Sequence, residues 1–217
     1  MITKNFQKRV FTSFILFILV ILMINFKLIS TYVIILFGVM SLLEFLQISK
    51  KIFLKAFLRF LVNLVFLIYL FIFCFLFLFF SDQSYLKLIL YMIIFGCVAS
   101  DIGGFICGKT FKGPKLTKIS PKKTYSGALG SIFFTCVTIS SIMFFFTNSF
   151  SYKIIIISIF TSISCQLGDL IFSFIKRKAK IKDTGNILPG HGGILDRLDG
   201  MLVGVPIGFI TLIMITQ

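Results

Sequence analysis

An all-α fold, a polytopic integral membrane helical bundle of about seven transmembrane helices with a cytoplasmic N-terminus, is predicted by three features of this 217-residue sequence. Its composition is 58% hydrophobic and its mean hydropathy is +1.07. The apolar residues gather in long runs instead of the periodic stripes of a soluble domain, and runs of about 18 or more residues mark membrane helices. The 22 Lys and Arg fall mainly between those runs, as in cytoplasmic loops that face anionic head groups. The net charge of +15 is thereby assigned to the membrane surface, and nucleic acid is not an expected partner. Residues 1–217 read as a single membrane domain, with N-terminal helices in 1–84 and a second half in 85–217.

The first expected span, 10–26, follows Lys4, Lys8 and Arg9. That start resembles a signal peptide, but the apolar stretch is too long and no small-residue cleavage site follows, so it reads as a retained helix. Further spans are expected at 28–48, 56–80, 85–107, 126–147, 153–175 and 194–216. With the N-terminus inside, only Lys27, Lys87 and Lys153 fall in outside loops. This asymmetry sets the orientation, and the expected location is the cell membrane. Two cytoplasmic loops, 109–125 and 176–193, are too rich in Gly, Pro and Lys for plain helix. Cys74, Cys97, Cys107, Cys136 and Cys165 all sit in apolar runs without a C-x-x-C pair, which points to small buried hydrophobes rather than zinc or disulfides.

The chain has only seven acidic residues, and their placement carries the chemical signal. Asp101 precedes Lys109, and Asp169 precedes Lys176, by about two helical turns, roughly 10–12 Å beneath the cytoplasmic edge. A charge inside a bilayer costs at least ~2.5–3.5 kcal/mol and needs a partner, a cavity or a role. Asp196 and Asp199 are spaced to share one face of the last helix, near an N-terminus that favours negative charge. Helix capping alone explains one of them better than two. With Asp183, five acids converge on one membrane face among lysines, and only Glu44 and Asp82 lie elsewhere. Mixed carboxylates and lysines suit a metal-bridged polyphosphate: the carboxylates for Mg²⁺, the lysines for phosphate oxygens.

Gly103–Thr110 fits the G-x-x-x-x-G-K-[ST] pattern, but that motif needs a strand before it and a helix after it. Here it closes an apolar helix, so the glycines are assigned to close packing and Lys109 remains a plain cation. Gly200, Gly204 and Gly208 form a small-residue ridge for helix packing. Its partner is either the same chain or a second copy in a homodimer. His191, the lone histidine, suits a phosphate donor, a base or a structural hydrogen bond.

The stretch SFIKRKAKIKDTGNILPGHGGILDRLDG, Ser173 to Gly200, resembles the signature of the phosphatidate cytidylyltransferase (CDP-diacylglycerol synthase) family. Its specified positions are met by Ser173, Lys176, Arg177, Lys182, Asp183, Gly185, Pro189, His191, Gly192, Gly193, Asp196, Arg197 and Asp199. QLGDL at 166–170 and SPKKT at 120–124 are similar to further family elements. The resemblance covers residues from about 90 onward and makes 85–217 the catalytic half. It implies that phosphatidate attacks the α-phosphorus of CTP, giving CDP-diacylglycerol and pyrophosphate, with Mg²⁺ required. A monovalent ion is a further candidate.

On that resemblance Asp169 and Asp196 are the metal carboxylates. Asp183, Asp199, His191 and Lys182 join them as catalytic candidates. Ser120, Lys122, Lys123, Thr124, Lys176, Arg177, Arg197 and Asp101 are the substrate-binding candidates, and CTP, phosphatidate and membrane lipid are the expected partners. The chain departs from the family pattern at Asp101-Ile102-Gly103-Gly104-Phe105 and at Tyr125 and Ser126, and its first half is short by about two helices. The competing readings are cytidylyl transfer to another lipid phosphate such as an isoprenoid one, an ion-coupled transporter, and an inactive relative.

Overall fold

The computed structural model describes residues 4–117, 120, 123–185, 187 and 192–216, with side chains over 10–215 of that set. Seven α-helices are present among them: α1 Lys4–Asn25, α2 Lys27–Ile52, α3 Ala56–Asp82, α4 Ser84–Phe111, α5 Tyr125–Thr147, α6 Tyr152–Lys178 and α7 Leu195–Thr216. Six of them, α2 to α7, are long and apolar enough to cross a membrane. The expected first span, 10–26, falls on α1, whose side chains are described from Val10 onward.

Helix α3 shows why these helices belong in lipid. It is the most apolar span, with hydropathy 2.9, yet only 22% of its window is buried. Phe57, Phe60, Val65 and Phe71 are all exposed. An apolar helix that does not hide its side chains within the protein has lipid as its solvent.

The chain divides into two compact units. The first comprises residues 1–84 and 175–198; the second comprises 85–174 and 199–217. The segment 175–198 thus clusters with the N-terminal helices, although it lies within the second half of the sequence.

In the first unit α2 and α3 form a hairpin. Phe45 stacks on Phe66 with centroids 3.8 Å apart, and Gly38 lets α2 approach Cys74, whose Sγ would lie 2.9 Å from an added Cβ. Lys27 and Asp82 pair across the ends of α2 and α3. Both side chains are more than half exposed, so the pair adds at most about 1 kcal/mol. Helix α6 ends in this unit where Lys180 turns left-handed (φ 57°) and Ile181 N–H returns to the Lys176 carbonyl at 3.0 Å. This bond pattern closes a helix C-terminus and sends the chain back toward α7.

The second unit is built on small residues and hydroxyls. An added Cβ at Gly103 would lie 2.6 Å from the Gly130 carbonyl, so α4 and α5 meet almost backbone to backbone. Ser131 Oγ donates to the Ser100 carbonyl at 2.7 Å, and Ser100 and Ser162 hydroxyls meet at 3.0 Å. Interhelical hydroxyl bonds of this kind hold apolar helices together where lipid offers no polar partner. The G-x-x-x-x-G-K-[ST] stretch lies wholly within α4. Helical backbone cannot form a phosphate-cradling loop, and the P-loop pattern is coincidental.

The Gly200–Gly204–Gly208 ridge finds its partner in its own chain. Added Cβ atoms there would meet Cys165 Sγ at 2.6 Å, Cys97 Sγ at 2.9 Å and Thr161 Oγ1 at 2.7 Å. Gly204→Leu is therefore expected to destabilise the fold by about 1–3 kcal/mol or more, read as a lower thermal unfolding midpoint in detergent. At the far end of α7, Lys153 Nζ donates to the Ile215 carbonyl at 2.9 Å, satisfying a terminal acceptor.

Candidate functional site

In the first unit the site grows from the entry to α7. The first N–H groups of a helix have no intrahelical acceptor, and here they are buried: Ile194 is 3% exposed and Leu195 is fully buried. Two carboxylates meet them. Asp196 Oδ2 accepts from Gly193 N–H at 3.0 Å, and also from Thr184 N–H at 2.7 Å. Glu44, projecting from α2, accepts from Ile194 N–H on Oε1 and from Leu195 N–H on Oε2, each at 3.0 Å. Thr184 Oγ1 lies 2.6 Å from Glu44 Oε2 and 3.0 Å from Asp196 Oδ2. Its single hydrogen serves one of them, and the shorter contact is to Glu44.

Lys176 Nζ completes this cluster, donating to Asp196 Oδ1 at 2.7 Å. Their side chains are only 13% and 6% exposed, so the pair is largely removed from water. Glycines make the packing feasible. Gly192 adopts φ +84°, a left-handed conformation costly to other residues, and an added Cβ there would lie 3.0 Å from Asp196 Oδ2 and 3.3 Å from Asp183 Cβ. At Gly193 an added Cβ would collide with Thr184 Oγ1 and both Glu44 carboxylate oxygens. Those atoms are tied by hydrogen bonds and cannot yield. Gly193→Ala is expected to lose about 1–3 kcal/mol of stability, measurable as a lower unfolding midpoint.

The second unit carries a separate pair. Lys123 forms an ion pair with Asp169 of α6, with side chains 24% and 31% exposed. Two backbone hydrogen bonds place Lys123: Leu116 N–H donates to its carbonyl at 2.8 Å, and its own N–H donates to the Ser120 carbonyl at 3.0 Å. Thr124 is the N-cap of α5, its hydroxyl accepting from Gly127 N–H at 3.1 Å. That cap engages one expected substrate contact in holding the helix start. Asp101 is exposed on α4. Asp199 is 8% exposed, and its Oδ1 accepts from Gly200 N–H at 2.9 Å.

The structure therefore brings Lys176 to Asp196 and Lys123 to Asp169. It places Asp183 beside Gly192, and leaves Lys182, Arg177 and Arg197 exposed. His191 and Lys122 lie outside the described residues. Glu44 is what sequence reasoning missed: it was set aside with Asp82. Its signal was available, since a carboxylate within an apolar run needs a partner.

The fit of a magnesium ion can be judged from the donors. Among the described residues no group of three or more His, Cys, Asp and Glu converges on one point. Magnesium is often held by one or two carboxylates together with substrate phosphates, so the absence of a wider cage does not disqualify it. Among the described residues Asp169 has a single lysine partner and retains acceptor capacity. Asp196 already accepts three donors, Lys176 on Oδ1 and the Gly193 and Thr184 N–H groups on Oδ2, against the roughly four lone-pair sites of a carboxylate. A metal there competes with Lys176 for Oδ1.

The sequence matches the cytidylyltransferase family over residues 1–215. The chain belongs to that family. Among curated proteins it is similar to the phosphatidate cytidylyltransferase of Rickettsia bellii, 43% identical over 130 residues, which cover 56% of this chain and 55% of the relative. It is also similar to the enzyme of that name from Helicobacter pylori, 39% identical over 132 residues, 58% of this chain and 46% of the relative. The Mycobacterium leprae protein of the same name is 40% identical over 116 residues, 52% of this chain and 36% of the relative. The chain spans about half the length of the curated relatives it matches.

Proposed function

We propose that this chain is a membrane-bound phosphatidate cytidylyltransferase. A phosphate oxygen of phosphatidate forms a bond to the α-phosphorus of CTP, the α–β phosphoanhydride bond breaks, and pyrophosphate leaves, giving CDP-diacylglycerol. The family match along almost the whole chain, with the Ser173–Gly200 signature complete in its residue types, carries the reading.

The nucleophile is already an anion, so no strong base is needed, and positioning with charge neutralisation supplies the rate. Lys123 and Lys176 are the cations best placed for phosphate oxygens. Each is held at a fixed position by a carboxylate, and triphosphate oxygens compete with that carboxylate for the ammonium group. Lys182, Arg177 and Arg197 are exposed and carry additional positive charge for attracting CTP and the lipid head group. Magnesium, when bound, supplies the charge that neutralises the triphosphate and its leaving group. Asp169 is a carboxylate that would hold it, and Asp196 is another if Lys176 is given up. Asp183, Asp199 and His191 remain assigned to the same chemistry by the signature.

Six helices among the described residues are long and apolar enough to cross a membrane, which makes the chain a multi-pass membrane protein. Its expected place is the cell membrane, with both lysine-rich loops in the cytoplasm, where CTP is available and phosphatidate presents its head group. Purified protein given labelled CTP, phosphatidate and Mg²⁺ is expected to form CDP-lipid and release pyrophosphate. Omitting the divalent ion should abolish product. Preference for an isoprenoid phosphate in a competition assay would reassign the acceptor, and failure to form any CDP-lipid would refute the reading.

A further inference from the structure

We propose that Glu44 is a positioning residue of the transferase site, holding the signature segment so that Asp196 and Lys176 meet the substrate phosphates in register. This rests on the cytidylyl-transfer reading above. Glu44 is 3% exposed within the apolar helix α2, where a carboxylate is costly without partners. Its contacts lie 140 to 151 residues away in sequence: Thr184 Oγ1, Ile194 N–H and Leu195 N–H. All belong to the signature segment.

The geometry extends beyond capping. Thr184 is 5% exposed and bridges the two carboxylates, with Oγ1 within hydrogen-bond reach of both. Its own N–H also fixes Asp196 Oδ2. Glu44 therefore constrains Asp196 from both directions along the chain. Through Thr184 it sets the loop before α7, and through Ile194 and Leu195 it sets the first turn of α7 itself. Gly185 and Gly193 both press against the Glu44 carboxylate, where added Cβ atoms would lie 2.7 Å and 2.6 Å from Oε1. The two glycine backbones thus pack directly against the carboxylate. A carboxylate so enclosed transmits any displacement to Asp196, and displacements near 1 Å cost catalysis up to ~100-fold.

The test uses the full chain in detergent and compares Glu44→Gln, Thr184→Val and Thr184→Ser with wild type. Glutamine keeps the size of Glu44 but replaces one acceptor oxygen with a donor facing an N–H or the Thr184 hydroxyl. Glu44→Gln and Thr184→Val are expected to lower kcat by about tenfold or more, with KM for CTP changed less than about threefold. Thr184→Ser keeps the hydroxyl and is expected to stay within about threefold of wild-type kcat. Hydrogen exchange at residues 192–198 is expected to accelerate in Glu44→Gln. A Glu44→Gln protein with wild-type kcat, whether or not its unfolding midpoint falls, would overturn the proposal, as would unchanged amide protection. If wild type makes no CDP-lipid, the functional reading fails. In that case the exchange experiment still decides whether Glu44 holds the segment.

Discussion

Asp169→Asn is expected to abolish most CDP-lipid synthesis while leaving the protein folded. The substitution keeps the side chain's size and removes its charge. In the Lys123–Asp169 pair both side chains are a quarter to a third exposed, so water screens the loss and the cost to stability is about 1 kcal/mol or less. The catalytic loss is much larger, because a neutral amide is a poor ligand for a hard divalent cation and no longer holds Lys123 by charge. A drop of about 10²–10³-fold in turnover is expected, the scale of removing one preorganised electrostatic contact. Labelled CTP turnover and the thermal midpoint, measured on the same preparation, check both halves. Normal turnover would refute the role of Asp169.

Asp196→Asn is expected to fail in a different way, losing activity and stability together. The carboxylate accepts three donors, and the side chains of Asp196 and Lys176 are only 6% and 13% exposed. Asparagine has one acceptor oxygen and an NH₂ group that must face a donor. Lys176 then loses its counter-charge, and breaking one side of a buried pair costs about 3–5 kcal/mol. Adding Lys176→Met removes the orphan ammonium and should restore much of the unfolding midpoint, because an apolar replacement for a buried pair is often neutral. Activity should not return. A double variant that regains turnover would show that the cluster serves only to stabilise the fold.

These two aspartates look alike in sequence. Each was assigned to metal by its place in a motif, and each pairs with a lysine. Their surroundings separate them: Asp169 is half-open with one ion-pair partner among the described residues, and Asp196 is enclosed and accepts three donors. Motif spacing cannot express that difference, since it depends on how many donors converge from other segments. Thr184 illustrates the same point. Its position between Asp183 and Gly185 drew no attention, yet its hydroxyl and amide bridge Glu44 and Asp196.

The sequence by itself determined the helical membrane architecture, the two lysine-rich loops and the family, because apolar run length, charge placement and motif residues are local properties of the chain. Only the tertiary structure decided where Glu44 acts, what the Gly200–Gly204–Gly208 ridge packs against, and which lysine serves which aspartate. The physical reason is that a buried carboxylate takes its role from the donors folded around it. For Glu44 those donors lie in a segment 140 and more residues away.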